Sequence, residues 1–212
     1  MPVPVPAVVA ALADLVWPRS CVGCGRAGRV LCERCVPLDV LHLAAGGLPV
    51  GAAGAYDGPL RAALIAYKER GRRDLAEQLG TLLAGAVPVE PGVVLVPVPS
   101  AARVARARGG DHVLRLARIA SRASRAPVAT PLGLVRTVQD SAGLDHHERA
   151  ANLSAAMIAT PPPSPDTGVV ILDDIVTTGA TLREAARALA AAGWYVRAAA
   201  VVGATERKRP AK

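Results

Sequence analysis

The sequence contains no phenylalanine, and Trp17, Trp194, Tyr56, Tyr67 and Tyr195 are its only tryptophans and tyrosines. Hydrophobic residues nevertheless make up 51% of the chain, mostly Ala, Val and Leu, so the core has to be aliphatic. That composition suits a parallel sheet covered by helices, whose strands are buried on both faces. The shortage of aromatics also argues against a base-stacking platform for single-stranded nucleic acid. Cysteine is missing everywhere except between residues 21 and 35. No run of about 18 uninterrupted apolar residues occurs, which speaks against a membrane span. The stretch MPVPVPAVVAALADLVWP has no basic lead and is broken by Asp14, a poor secretion signal, so a cytoplasmic location is expected.

Acidic residues are also in deficit. Seventeen Asp and Glu stand against 25 Lys and Arg, a formal charge of +8 over 212 residues. The sign favours anionic partners such as phosphorylated metabolites, pyrophosphate or nucleic acid, without choosing among them. The length accommodates one α/β domain and a small appended module. The expected division is a tetracysteine module over 15–50, a main domain over 51–205 and a basic tail over 206–212.

The four cysteines are spaced Cys21-x2-Cys24-x7-Cys32-x2-Cys35. Two such pairs each supply half of a tetrahedral thiolate cage, and Gly23, Gly25 and Gly28 permit the tight turns around an ion. A redox pair is the rival reading, while a reducing cytoplasm disfavours two disulfides. Two CxxC units together favour Zn2+. Because all four sulfurs are then ligands, the site is structural. With little apolar sequence nearby, metal binding is expected to fold this segment.

Gly and Pro in LHLAAGGLPVGAAGAYDGP suggest a linker near residue 50. Spaced apolar residues over 60–83, interrupted by Gly71, predict two helical pieces. Val93–Val98 reads as a buried strand ending in a turn, and His112–Arg125 as a helix. Val128–Val135 and Ala155–Ala159 are weaker strand candidates. Val169–Leu172 is a second buried strand, followed by a turn, a helix over about 181–192 stopped by Gly193, and a strand over Tyr195–Val202. Strands alternating with helices predict an α/β, doubly wound, mainly parallel sheet.

The segment VVILDDIVTTGAT, residues 169–181, carries the most chemistry. Asp173 and Asp174 appear where the strand is expected to emerge at its carboxyl end, the end at which open α/β sheets bind ligands. Paired carboxylates accept hydrogen bonds from the hydroxyls of a sugar diol and favour a cationic ribose. Thr177, Thr178 and Thr181 supply hydroxyls. Gly179 and Ala180 supply backbone N–H groups at the start of a helix, suited to a phosphate. Together these residues describe a ribose 5-phosphate site. They resemble, across thirteen positions, the phosphoribosyl-pyrophosphate (PRPP) signature of type I phosphoribosyltransferases.

With the tetracysteine segment in front, the chain resembles the ComF family over residues 15–205. YKERG at Tyr67–Gly71, VPVPSAARVARARG at Val96–Gly109 and RTVQDSAGLDHHERAAN at Arg136–Asn152 carry the rest of the likeness. The resemblance implies a type I phosphoribosyltransferase-like domain that uses PRPP with Mg2+ and transfers ribose 5-phosphate to an unidentified acceptor. Ser100 and Arg103 fall on its pyrophosphate loop, with Arg106 and Arg108 adding charge. Lys68 either reaches the same phosphates or is a solvated helix-end lysine. Arg136, Gln139, Arg149 and Asn152 fall on a flexible hood that closes over substrate. His146 and His147 in that hood are expected to face solvent. One departure stands out: the family's Arg-Gly-Phe-Asn is Arg108-Gly109-Gly110-Asp111-His112 here.

Arg115, Arg118, Arg122 and Arg125 recur at helical spacing on one face. A solvated outer face is the plainer account, and contact with a phosphate backbone the sharper one. The alternative function is therefore a non-catalytic adaptor that keeps the PRPP or nucleotide pocket and contacts DNA or DNA-processing proteins, as the family's link to competence implies.

Overall fold

The computed structural model describes residues 20–88, 92–135, 156–164 and 167–205. The chain runs β1 (Leu41–Ala45), β2 (Leu48–Ala55), α1 (Gly58–Glu69), a 3-10 turn (Arg73–Leu75), α2 (Ala76–Ala86) and β3 (Val93–Pro97). It continues through α3 (Ala102–Ala107), α4 (His112–Ser124), β4 (Leu132–Leu134), β5 (Met157–Ala159), β6 (Gly168–Val176), α5 (Ala180–Ala191) and β7 (Tyr195–Ala204). Five strands form one sheet in the order β1-β2-β7-β6-β3. All neighbours are parallel except β1, an antiparallel edge on β2. The expected α/β, mainly parallel architecture is therefore present.

Strand alternation divides the core between two faces. Leu95, Val170, Leu172 and Val202 join Leu64, Leu79, Leu83 and Leu116 from α1, α2 and α4 on one face. Val96, Val169, Ile171 and Val201 join Leu182, Ala185 and Leu189 of α5 on the other. Aliphatic branching does the packing, as the lack of phenylalanine requires.

The linker expected near residue 50 is instead a hairpin, because β1 and β2 belong to the main sheet. The glycines there answer close packing. A Cβ on Gly51 would lie 2.2 Å from the Ala86 carbonyl oxygen, so only glycine lets α2 end against β2.

The tetracysteine segment packs on the main domain. Val30 and Leu31 are buried in the same cluster as Leu60, Leu64 and Leu79, and Gln78 Nε2 donates to the Leu31 carbonyl at 3.0 Å. Packing against the main domain thus orders the segment alongside any metal. Replacing Leu31 with Ala should cost about 2–5 kcal/mol of the stability of the main domain. In urea denaturation, the principal transition should move to lower denaturant with an unchanged slope; a main transition left in place would mean that the segment is energetically separate.

Candidate active site and metal centre

The chain ends of β2, β3 and β6 open onto a cleft of about 570 Å³. Tyr56 follows β2 and Ser100 follows β3, while Asp173, Asp174, Thr177 and Thr181 come from β6 and the turn after it. Lys68 of α1, Arg108 and His112 of α4 complete the wall.

β6 is longer than expected and carries both aspartates within it. Adjacent strand residues point to opposite faces, so the pair is divided between the two layers. Asp174 lies on the α1/α4 side, where its Oδ2 meets Lys68 Nζ at 2.8 Å and His112 Nε2 at 2.6 Å. Asp173 accepts the backbone N–H of Asp174 at 2.8 Å.

These surroundings separate the two carboxyls electrostatically. Burial opposes ionisation of Asp174, but the His112 hydrogen bond and the Lys68 charge overcome it and hold the group at about 2. Burial and the nearby Asp174 charge push Asp173 well above the usual carboxylate range. Asp174 is therefore held ionised, while the surroundings of Asp173 oppose its ionisation.

Thr177 and Thr178 are exposed in the turn before α5, and Thr178 Oγ1 accepts the Ala180 N–H at 3.3 Å. Gly179 has φ +78. A Cβ there would come within 2.5 Å of Gly46 N, and one on Gly46 within 2.6 Å of the Gly179 oxygen. The hairpin turn between β1 and β2 thus buttresses the threonine turn through two facing glycines.

On the β3 side, the Ser100 N–H donates to Asp111 Oδ2 at 2.8 Å, so that amide is already used. Its hydroxyl lies 3.1 Å from His112 Nδ1. Arg103 lines an adjoining cleft of about 650 Å³ with Arg73, which shares Lys68, Val104 and Arg108 with the first. Arg136, Gln139, Arg149 and Asn152, together with His146, His147 and the tail over 206–212, lie outside the described residues. The segment's roots are visible: β4 pairs with β5, bringing Leu134 opposite Met157.

Two residues here escaped sequence reading. His112 sits between Ser100 and Asp174. Glu184 is buried about one turn into α5, accepts the Met157 N–H at 3.0 Å, and pairs with Arg187, which also donates to the Met157 carbonyl at 2.8 Å. Glu184 shares a helix stripe with buried Ala188, so an acid on an apolar stripe was the available signal. His112 left no comparable trace, because its partners lie far away in sequence.

The four cysteine sulfurs lie within 4.8 Å of one another, and Cys24 Sγ is 3.5 Å from Cys32 Sγ. Tetrahedral Zn2+ with Zn–S near 2.3 Å requires sulfurs about 3.8 Å apart, so Cys21, Cys24, Cys32 and Cys35 fit that ion. Burial opposes a thiolate at Cys21, yet N–H groups including that of Cys32, which points at its sulfur from 3.3 Å, lower it to about 6. Cys35 is pushed up to about 12 by burial and its neighbouring sulfurs. A bound cation would bring all four to the thiolate form.

The phosphoribosyl transferase domain model matches residues 107–212, half of the chain, including β6, the threonine turn and α5. The chain belongs to the phosphoribosyl transferase domain family. Its fold is accordingly that of a PRPP-utilising transferase. No curated protein matched the sequence. No helix among the described residues is long and apolar enough to cross a membrane.

Elemental analysis of the purified protein should find one zinc per chain, and strong chelators should lower its melting temperature. Cys32→Ser should abolish the metal; full thermal stability without metal would rule out a structural cage. For Asp173, a raised folded-state pKa means that ionisation opposes folding. The penalty is absent below the unfolded value of about 4 and accumulates as pH rises through the folded value. Asp173→Asn should therefore raise the melting temperature at pH 7 by about 2–4 °C, the equivalent of about 1 kcal/mol. At pH 3.5 the gain should disappear, and a gain independent of pH would point to another cause.

Proposed function

We propose that this phosphoribosyltransferase is ComF-like and binds PRPP, releasing pyrophosphate as it transfers ribose 5-phosphate to an acceptor. The observation that carries the reading is the cleft itself. A divided aspartate pair and a threonine turn at a helix start stand within one cavity with Lys68 and Ser100.

In this reading the 5′-phosphate rests on Thr177, Thr178, Gly179, Ala180 and Thr181, where hydroxyls, backbone N–H groups and the α5 dipole favour an anion. Asp173 and Asp174 accept from the ribose hydroxyls. Lys68 and His112 both bind Asp174 through Oδ2, which leaves Oδ1 for the sugar. The negative charge of Asp174 also favours the cationic ribose that develops as the C1 bond breaks. Lys68 and Ser100 meet the pyrophosphate from the wall shared with α3, and Arg103 attracts it from the adjoining cleft. Mg2+ arriving with pyrophosphate supplies charge compensation for the leaving group. Arg136, Gln139 and Arg149 belong to the hood in this scheme; β4 and β5, tied to α5 by Glu184 and Arg187, hold its two roots together.

The DNA-contacting adaptor draws on the arginine row of α4, which the fold depletes. Arg115 donates to the Gly109 carbonyl at 3.1 Å, and Arg122 pairs with Glu77 at 3.2 Å. Arg118 and Arg125 remain exposed. The row retains too little uncommitted charge to displace the transferase reading.

Pyrophosphate release from PRPP, measured across a panel of nucleobases, tests the assignment. At least one acceptor should support release, and Asp173→Asn combined with Asp174→Asn should reduce it at least about a hundredfold. Release unchanged by the double substitution would sink the assignment. PRPP binding without turnover of any acceptor, together with salt-dependent DNA binding, would favour the adaptor.

A further inference from the structure

His112 opens α4 and is fixed from several directions. Asp111 before it caps the helix, accepting from Leu114 N at 3.1 Å with one oxygen and from Ser100 N at 2.8 Å with the other. The His112 carbonyl accepts the Tyr67 hydroxyl at 3.0 Å. Its ring is 7% exposed at the residue level and spans two partners, Asp174 Oδ2 at 2.6 Å and Ser100 Oγ at 3.1 Å. An ionised carboxylate only accepts, so Nε2 carries the proton toward Asp174. In the neutral imidazole, Nδ1 is then the acceptor for the Ser100 hydroxyl.

The turn that delivers this ring is the place where the chain departs from the Arg-Gly-Phe-Asn pattern. Gly110 has φ +125, an angle that a phenylalanine could adopt only under strain, and its N–H returns to the Ala105 carbonyl at 2.7 Å. Packing alone would not call for an imidazole whose two nitrogens meet two side chains of the cleft wall.

We propose that His112 is a positioning residue of the transferase site, a single ring linking Ser100 on the pyrophosphate side to Asp174 on the ribose side. It holds both in the orientation that PRPP meets. With Lys68, it occupies Oδ2 of Asp174 and so determines which carboxylate oxygen faces the sugar. Through Nδ1 it sets the direction of the Ser100 hydroxyl, which no residue of the serine's own loop is seen to do. The proposal rests on PRPP being the ligand of this cleft.

Calorimetric titration of the full chain with PRPP tests the link, with the melting temperature recorded for each variant. His112→Gln retains a donor and an acceptor and should stay within about threefold of the unmodified affinity. His112→Leu should weaken binding at least about tenfold, the equivalent of losing one hydrogen bond to a charged group. Ser100→Ala should weaken binding in the unmodified background by at least about threefold more than in the His112→Leu background, because part of its effect passes through the ring. Should His112→Leu fail to fold, His112→Asn, too short to span both partners, takes its place under the same criteria. Additive losses for Ser100 and His112, or unweakened binding by His112→Leu, would overturn the proposal alone. An unmodified protein that binds no PRPP would overturn the transferase reading and this proposal with it.

Discussion

A carboxylate on the covered face of a sheet keeps its charge only where opposite charge reaches it, since desolvation otherwise drives it neutral. Asp174 meets that condition through the Lys68 charge from α1, helped by a hydrogen bond from His112 of α4. Three elements far apart in sequence therefore converge on one oxygen. The ion pair is buried, so its value lies less in net stability than in specifying how α1 and α4 sit against the end of β6. The cleft depends on that convergence, because the wall carrying Ser100 is tied to His112, and Ser100 is tied again to the Asp111 cap.

The opposite face of the sheet obeys a different constraint. There the threonine turn must lie close to the β1–β2 hairpin, and two facing glycines make the approach possible. Glu184 and Arg187 then bind β5 to α5 about one turn beyond the same site. A cationic and hydrogen-bonded wall thus stands on the α1/α4 side and a steric one on the α5 side. Asp173 lines the cleft beside Asp174, in a setting that costs stability when it ionises. A group kept under such strain fits a site where a ligand, rather than the free protein, satisfies it.

The cysteine segment shows how a local motif acquires a global role. Its sulfurs are arranged by backbone turns within fifteen positions, yet Leu31 is buried with the leucines of α1 and α2. A bound metal and the core would then stabilise one another. A chain short of aromatic bulk gains a rigid flank in this way without a larger core.

Spacing within a short stretch was readable directly. The Cys-x2-Cys pairs close on one another because each knuckle is a local turn, and the threonine turn starts a helix because Gly179 and the residues after it favour one. The unbroken apolar runs VVLVP and VVIL also announced strands buried on both faces, since such a run is a local property. What depended on tertiary structure was every partnership across the chain. That β6 runs on through Asp173 and Asp174, dividing them between two faces, follows from pairing with β7. The glycine-rich hairpin resembled a linker because the contact that explains Gly51 is made by α2. His112 had no signature at all: its function in the site is defined by Asp174, 62 positions away, and Ser100, 12 positions away. Local sequence determined which groups could hold a sugar phosphate and a metal. Only long-range packing decided which of those groups is charged, which oxygen is presented, and what holds it there.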